Sequence, residues 1–295
     1  MNTDRHRVKI GQFSESPVLA VAKAIGLDDK FAIDWETRRV PSSPGQFDWL
    51  SNGEIDIAIT SPDNVMLYAT TDSNPLGKKL SLSILRTIDR GLGLSLFTSP
   101  EITDPQQLEG ARVGVDVPNS GFAFLLFALA KKLGVDRDKY ELESVGATPK
   151  RLDSVLTGAV AATILNAETA VEAESQGLRK WSSSLDLSDD YLGTVLVQLK
   201  EARDERTEVF LEMWEEATDF ILLSDPADLG ELLSSDFPKL ATTQYLEILK
   251  SQEYGLLRNP ETTLQQLLLL AKIRADFGAY TPTEESLVEL LGKSK

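Results

Sequence analysis

The chain has 295 residues, 42% of them hydrophobic, enough for one large domain or two lobes of ordinary size. Its formal charge is −16, dispersed over stretches such as 201–216 and 284–289 with no basic stripe to offset it, which excludes an ordinary nucleic-acid-binding surface. With no cysteine and only His6, there is no disulfide, no thiolate site and no histidine-based serine triad, and neither a metal nor a cofactor is expected.

No apolar run reaches membrane-spanning length, so membrane insertion is not expected. The start, MNTDRHRVKI, has no apolar core and no small-residue cleavage site. As it stands the sequence predicts a cytoplasmic protein, or a periplasmic or extracellular one if a leader has been removed.

A strand is predicted at 7–13, followed by Ser14-Glu15-Ser16-Pro17 and a helix at 17–26. A strand at 34–40 and a helix at 44–52 come next. IDIAIT closes a strand at 55–60, and Ser61-Pro62-Asp63-Asn64 opens a helix at 63–70. Strands at 80–88 and 92–98, joined at Ile88-Asp89-Arg90-Gly91, interrupt the strand–helix rhythm. A short helix at 105–109 leads to a strand at 111–116, a polar turn at 117–121 and a helix at 121–133. Asn119 and Ser120 cap that helix, which stops at Lys131, Lys132, Leu133 and Gly134. A strand at 141–146, a helix at 148–158 and a strand at 161–165 precede Asn166-Ala167-Glu168-Thr169 and a helix at 168–176. After LDLSDDYLG the chain returns as a strand at 193–199. The remainder reads as helices at 203–223, 227–233, 239–253, 261–276 and 283–292. Val209, Phe210, Met213, Trp214 and Ala217 follow helical spacing, which assigns Trp214 to the core.

Repeated strand–turn–helix units imply an α/β protein with mostly parallel sheets. The two interruptions, near 86–92 and 189–195, predict two crossings between two lobes. Lobe one would hold 1–88 and 195–295, including the C-terminal helices, and lobe two 89–194. Ligands of such sheets bind outside the carboxyl ends of the strands. The turns found there nominate Ser14, Ser16, Thr60, Ser61 and Asn64 on one lobe, with Asn119, Ser120, Gly121, Phe122, Asn166 and Glu168 on the other. Phe13, Phe122 and Tyr191 could supply apolar or stacking contacts, or belong to the core. The helix start near Asn119 offers free N–H groups and a partial positive charge, and is expected to hold an anionic group. Arg86 or Arg90 would add a second clamp.

The segments SPVLAVAKAIGLDDKFAIDWETRRV, FDWLSNGEIDIAITSPDNVM, LEGARVGVDVPNSGFAFLLFALAKKLGV and VGATPKRLDSVLTGAVAATILNAETAVEAESQGL occur in this order. The ordered set, over about residues 7–200, resembles the type II periplasmic-binding-protein fold. Within that fold it is similar to the ABC-transporter solute-binding proteins of the nitrate, alkanesulfonate and thiamine-precursor type. NGEIDIAITSPDN resembles the family's G-x-x-D strand and turn, and LEGARVGV the L-x-G-K-x-V-G opening of its second lobe. The resemblance implies a two-lobed fold with a helical C-terminal extension, a small-molecule ligand and an ABC permease as partner. No lipid-attachment Cys is present, and the Cys-rich motif and functional His residues of the fungal pyrimidine synthases are missing.

Two functions stand ahead of a third, a regulatory or partner-binding lobe without chemistry, which nothing in the sequence singles out. The first is binding of a small anionic or zwitterionic organic solute between the lobes. The second, because the fold also hosts aromatic decarboxylases and a chorismate dehydratase, is a metal-free lyase or decarboxylase acting on a small carboxylate. Asp63, Asp116 and Glu168 would be its acid/base groups, and Arg86 or Arg90 would hold the substrate carboxylate. The structural alternatives are that Asp63 caps its helix, Asp116 ends a strand and Arg86 pairs with a neighbouring acid.

Overall fold

The computed structural model describes residues 5–258 and 261–291. In chain order its strands and helices are β1 (His6–Gln12), α1 (Pro17–Ala24), α2 (Leu27–Lys30), β2 (Ile33–Arg39), α3 (Ser43–Ser51), β3 (Ile57–Thr60), α4 (Pro62–Thr70), β4 (Leu82–Asp89) and β5 (Ser95–Thr98). There follow β6 (Arg112–Val115), α5 (Gly121–Lys132), β7 (Glu141–Ser144), α6 (Thr148–Leu156), β8 (Ala162–Leu165), α7 (Ala167–Ser175), β9 (Arg179–Ser183) and β10 (Thr194–Leu199). The tail is α8 (Glu205–Leu223), α9 (Pro226–Leu233), α10 (Thr243–Lys250), α11 (Leu264–Ala275) and α12 (Glu284–Leu290). Among the described residues no helix is long and apolar enough to cross a membrane.

Two five-stranded sheets form two lobes, ordered β2-β1-β3-β10-β4 and β7-β6-β8-β5-β9. The first three strands of each sheet run parallel, and β10, β5 and β9 add antiparallel pairings. β9 and the short α2 are absent from the sequence reading, and 105–109 forms only a four-residue 3-10 turn. β9 reads RKWSS, with Arg179 and Lys180 exposed; an edge strand buries too little to show an alternating apolar pattern. The serine caps hold where the turns begin: Ser16, Ser61 and Ser120 accept from the N–H groups of Leu19, Asp63 and Ala123.

The chain leaves the first sheet after Asp89, enters the second at Ser95, and returns between Ser183 and Thr194. Asp89 fastens the two crossings together. Its Oδ1 accepts from Gly91 N at 2.7 Å and its Oδ2 from the Thr194 hydroxyl. Gly193 is required here, because a Cβ would strike Asp89 Oδ1 and the Gly91 backbone. The loop after α10 covers the crossing: Arg90 N and Leu92 N donate to Gly255 O and Tyr254 O, and Leu257 N donates to Ile88 O.

The tail reaches both lobes. α8 packs on α1 and β1, whereas α10 meets α7 and α11 meets both α4 and α5. One apolar cluster therefore runs from Phe47 and Tyr68, stacked with centroids 4.0 Å apart, through Phe124 and Phe127 to Leu267 and Leu270. Inside it lies an ion pair. Arg274 Nη1 is 2.6 Å from Asp63 Oδ2, both side chains are almost fully buried, and the same nitrogen donates to Asn119 O at 3.4 Å. Arg274 Nε donates to Tyr280 O, and the guanidinium lies over the Phe124 ring at 4.5 Å. Breaking a buried pair from one side strands a charge and costs about 3–5 kcal/mol. Arg274→Met is therefore expected to lower unfolding stability by about that amount, measured in urea, and the Asp63→Asn/Arg274→Met double variant to recover much of it. A loss below about 1 kcal/mol in the single variant would show that the pair does not hold the junction.

Candidate functional site

The carboxyl ends of β1, β3, β6 and β8 face one another, and the turns that follow them surround a cleft of about 880 Å³, part of it open to solvent. Of the nominated residues, Ser14, Ser16, Thr60, Ser61, Asn64, Ser120, Phe122, Asn166 and Glu168 line it, as do Phe13 and Asp116. The lobes touch directly across it. Ser43 N and Oγ donate to Asp116 Oδ2, Gly121 N donates to Asn64 Oδ1 at 3.2 Å, and Ser14 donates to Glu168. Gly121 permits this approach, since a Cβ there would lie 2.6 Å from Asp63 Cβ.

Six nominated residues lie elsewhere. Arg86 is paired with Glu215 of α8 at 2.7 Å, on a different surface of the first lobe, so it cannot clamp a ligand in the cleft. Arg90 turns to the tail, with Nη1 donating to Gln252 O. Asn119 presents its carbonyl to Arg274, and Gly121 and Tyr191 are buried beside the cleft without lining it. Asp63, the acid/base candidate, is committed to Arg274, and burial pushes its carboxyl up against the pull of that guanidinium. At the start of α5, Gly121 N is taken by Asn64 and Ala123 N by Ser120 Oγ, so these two amides already have acceptors.

Other residues of the wall were not nominated. Arg151, 1% exposed, comes from α6, where Thr148, Arg151, Leu152 and Val155 form the buried stripe. A cation on the apolar face of an amphipathic helix was the available signal. Its guanidinium donates to Gly146 O, Thr148 Oγ1 and Ile164 O, and burial lowers its pKa to about 10, so it stays charged near neutrality. Trp214, Tyr245 and Leu256 add a wall from the tail, so Trp214 is both core and cleft. Backbone strain also collects here. Leu92 (φ 50°) and Ala167 (φ 51°) both adopt left-handed conformations, both line the cleft, and Ala167 N donates to Leu92 O.

Ten buried side-chain polar atoms among the described residues lack a hydrogen-bond partner, and four of them belong to residues lining this cleft: Asp116 Oδ1, Arg151 Nε, Glu168 Oε2 and Tyr245 Oη. Buried polar groups are rarely left unpaired, which makes these four the polar atoms of the cleft without a protein partner.

The sequence profile of the family described as NMT1/THI5 like matches residues 41–226. The chain belongs to this family. The fold of this NMT1/THI5-like chain is that of the type II periplasmic-binding proteins, seen in solved structures that share it at low identity. The alkanesulfonate-binding protein SsuA from Xanthomonas axonopodis pv. citri, bound to MOPS, is 15% identical with a TM-score of 0.73, covering 97% of this chain and 95% of that one. The periplasmic nitrate-binding protein NrtA from Synechocystis PCC 6803 is 15% identical with a TM-score of 0.77, covering 97% and 85%. The Candida albicans CA3427 gene product is 16% identical with a TM-score of 0.71, covering 97% and 94%. No curated protein matches the chain.

Asp89 carries the pH signature of this NMT1/THI5-like site. Burial raises its carboxyl from 3.8 to about 6, against the hydrogen bonds from Thr194 and Gly91. Between those values the folded protein holds a proton that the unfolded chain has lost. The contribution of Asp89 to stability is therefore fully present below about pH 4 and is lost as pH rises through about 6, by about 3 kcal/mol. Asp89→Asn can keep both partners without titrating. Urea unfolding from pH 4 to 7 is expected to show the wild type losing about 3 kcal/mol relative to the variant. Parallel pH profiles would contradict the assignment.

Proposed function

We propose that this protein binds a small zwitterionic organic solute in the cleft and closes its lobes around it. The observation that carries this reading is the meeting of four unpartnered polar atoms between lobes already in hydrogen-bond contact. Phe13, Ile88, Leu92, Phe122 and Trp214 offer an apolar enclosure for the solute's body. Arg151 Nε offers a charged donor to a carboxylate or similar acceptor, with the partial positive charge of the α5 start nearby. Supporting a zwitterion over a plain anion is the charge of the wall: Glu15, Asp89, Asp116 and Glu168 face the single guanidinium of Arg151.

By analogy with the solute-binding neighbours, the same reading gives the protein an ABC permease as partner and a place on the outer side of the membrane that carries it. The alternative, a metal-free lyase or decarboxylase, draws less support. Of its acid/base candidates Asp116 and Glu168 line the cleft but Asp63 is locked to Arg274, and neither Arg86, held by Glu215, nor Arg90, turned to the tail, is there to hold a substrate carboxylate.

A thermal-shift screen of small amino acids, aminosulfonates and plain carboxylates tests the proposal, since a ligand of the folded state at a hundred times its Kd adds about 2.7 kcal/mol of stability. At least one zwitterion is expected to raise Tm by several degrees, and Arg151→Met to weaken its binding by about ten- to a hundredfold in titration calorimetry. If no member of the panel shifts Tm, the binding reading fails.

A further inference from the structure

We infer that the cleft holds a dedicated subsite for a cationic nitrogen, formed by Glu168 at the start of α7 and Tyr245 of α10. The inference rests on the solute-binding reading and specifies which end of the solute goes where. Glu168 and Tyr245 both line the cleft, and Glu168 Oε2 and Tyr245 Oη are both buried without a hydrogen-bond partner. A hydrogen bond from Ser14 works against the rise that burial gives the Glu168 carboxyl, and Oε2 has no partner. Tyr245 is 1% exposed, and the charges of Glu168, Asp89 and Glu15 act on its hydroxyl, in that order.

Two further charges act on Glu168: Arg39 favours its ionised form and Glu15 opposes it. Burial pushes the Glu168 carboxyl up; a cation beside Oε2 would stabilise its ionised form and remove that cost. The hydroxyl of Tyr245 can accept a second hydrogen bond from the same group. A nitrogen with at least two N–H donors and a positive charge meets both requirements: a primary ammonium, an amidinium or a protonated amino-heterocycle. Quaternary ammonium ions lack the N–H groups and are excluded by the same chemistry. Arg151 and Glu168 come from α6 and α7 of the second lobe and the tyrosine from the tail, so the cationic end would be held by both a lobe and the tail.

The same elements are joined on the outside of the molecule. Lys239, just before α10, pairs with Glu172 of α7 at 3.4 Å, and Gln244 Nε2 donates to Glu174 Oε2 at 3.0 Å. The subsite therefore sits under an existing bridge between α7 and α10, which fixes its two walls relative to each other.

The test uses three probes of one shape: 4-(aminomethyl)benzoate, benzylamine and 4-methylbenzoate. Binding is measured by titration calorimetry on wild type, Glu168→Gln and Tyr245→Phe, with melting of each unliganded protein recorded as a fold control. Glu168→Gln can keep the Ser14 contact and removes only the charge. The expected result is that the two amine-bearing probes bind the wild type more tightly than 4-methylbenzoate. Glu168→Gln should weaken them by about ten- to a hundredfold and Tyr245→Phe by about two- to tenfold, with 4-methylbenzoate unaffected or improved. If Glu168→Gln does not fold, the Tyr245→Phe loss confined to the amines decides. Amine binding unchanged in both variants, or binding of 4-methylbenzoate alone, overturns the cation subsite while leaving solute binding in place. Binding of none of the three overturns the subsite, and failure of the wider zwitterion panel as well removes the solute-binding reading with it.

Discussion

The buried pair of Asp63 and Arg274 is the interaction on which the arrangement of the lobes rests. Asp63 belongs to the first turn of α4 in one lobe, Asn119 to the turn before α5 in the other, and Arg274 to the tail helix α11; one guanidinium reaches both. Desolvating two charges is costly, and their attraction repays it only with good geometry and further hydrogen bonds. Here the ring of Phe124 and the carbonyl of Tyr280 complete the guanidinium's surroundings. Apolar side chains of similar volume could fill the space, but they would not fix direction. A directional contact suits a junction where the starts of α4 and α5 must meet closely enough that only glycine fits at position 121.

From that junction the chemistry of the cleft follows. Parallel strands deliver their carboxyl ends, and with them serine, threonine and asparagine turns, to both sides of one gap. Lobe-to-lobe hydrogen bonds use up several of these groups: Asn64 on Gly121, Ser43 on Asp116, Ser14 on Glu168. What is left unpaired is unusual for a wall that holds a helix start, namely two carboxylate oxygens, a phenol and one guanidinium nitrogen. Acceptors outnumber the cationic donor. That imbalance is what the proposed cation subsite is drawn from.

Much of this architecture was legible in local sequence, because it is written in local rules. Pro17 and Pro62 follow serines that cap their helices, the IDIAIT strand leads directly into one such cap, and the two departures from the strand–helix rhythm lie where the chain changes sheets. The four polar turns could be nominated together for the same reason. Long-range pairing was not legible. Nothing near Arg86 announces Glu215, 129 positions away, and nothing near Asp63 announces Arg274, 211 positions away. Arg151 sits on a helix whose buried stripe is visible as a pattern, yet whether a buried cation faces core or cleft depends on the neighbouring sheet. β9 escaped notice because an exposed edge carries little apolar signal.

The family match ends at residue 226, but the wall of the cleft does not. Tyr245 and Leu256 come from the stretch beyond it, and the loop containing Leu256 also covers the crossing at Asp89. One stretch of tail thus both covers the crossing and walls the cleft, so any shift of the chain at Leu256 displaces the two together.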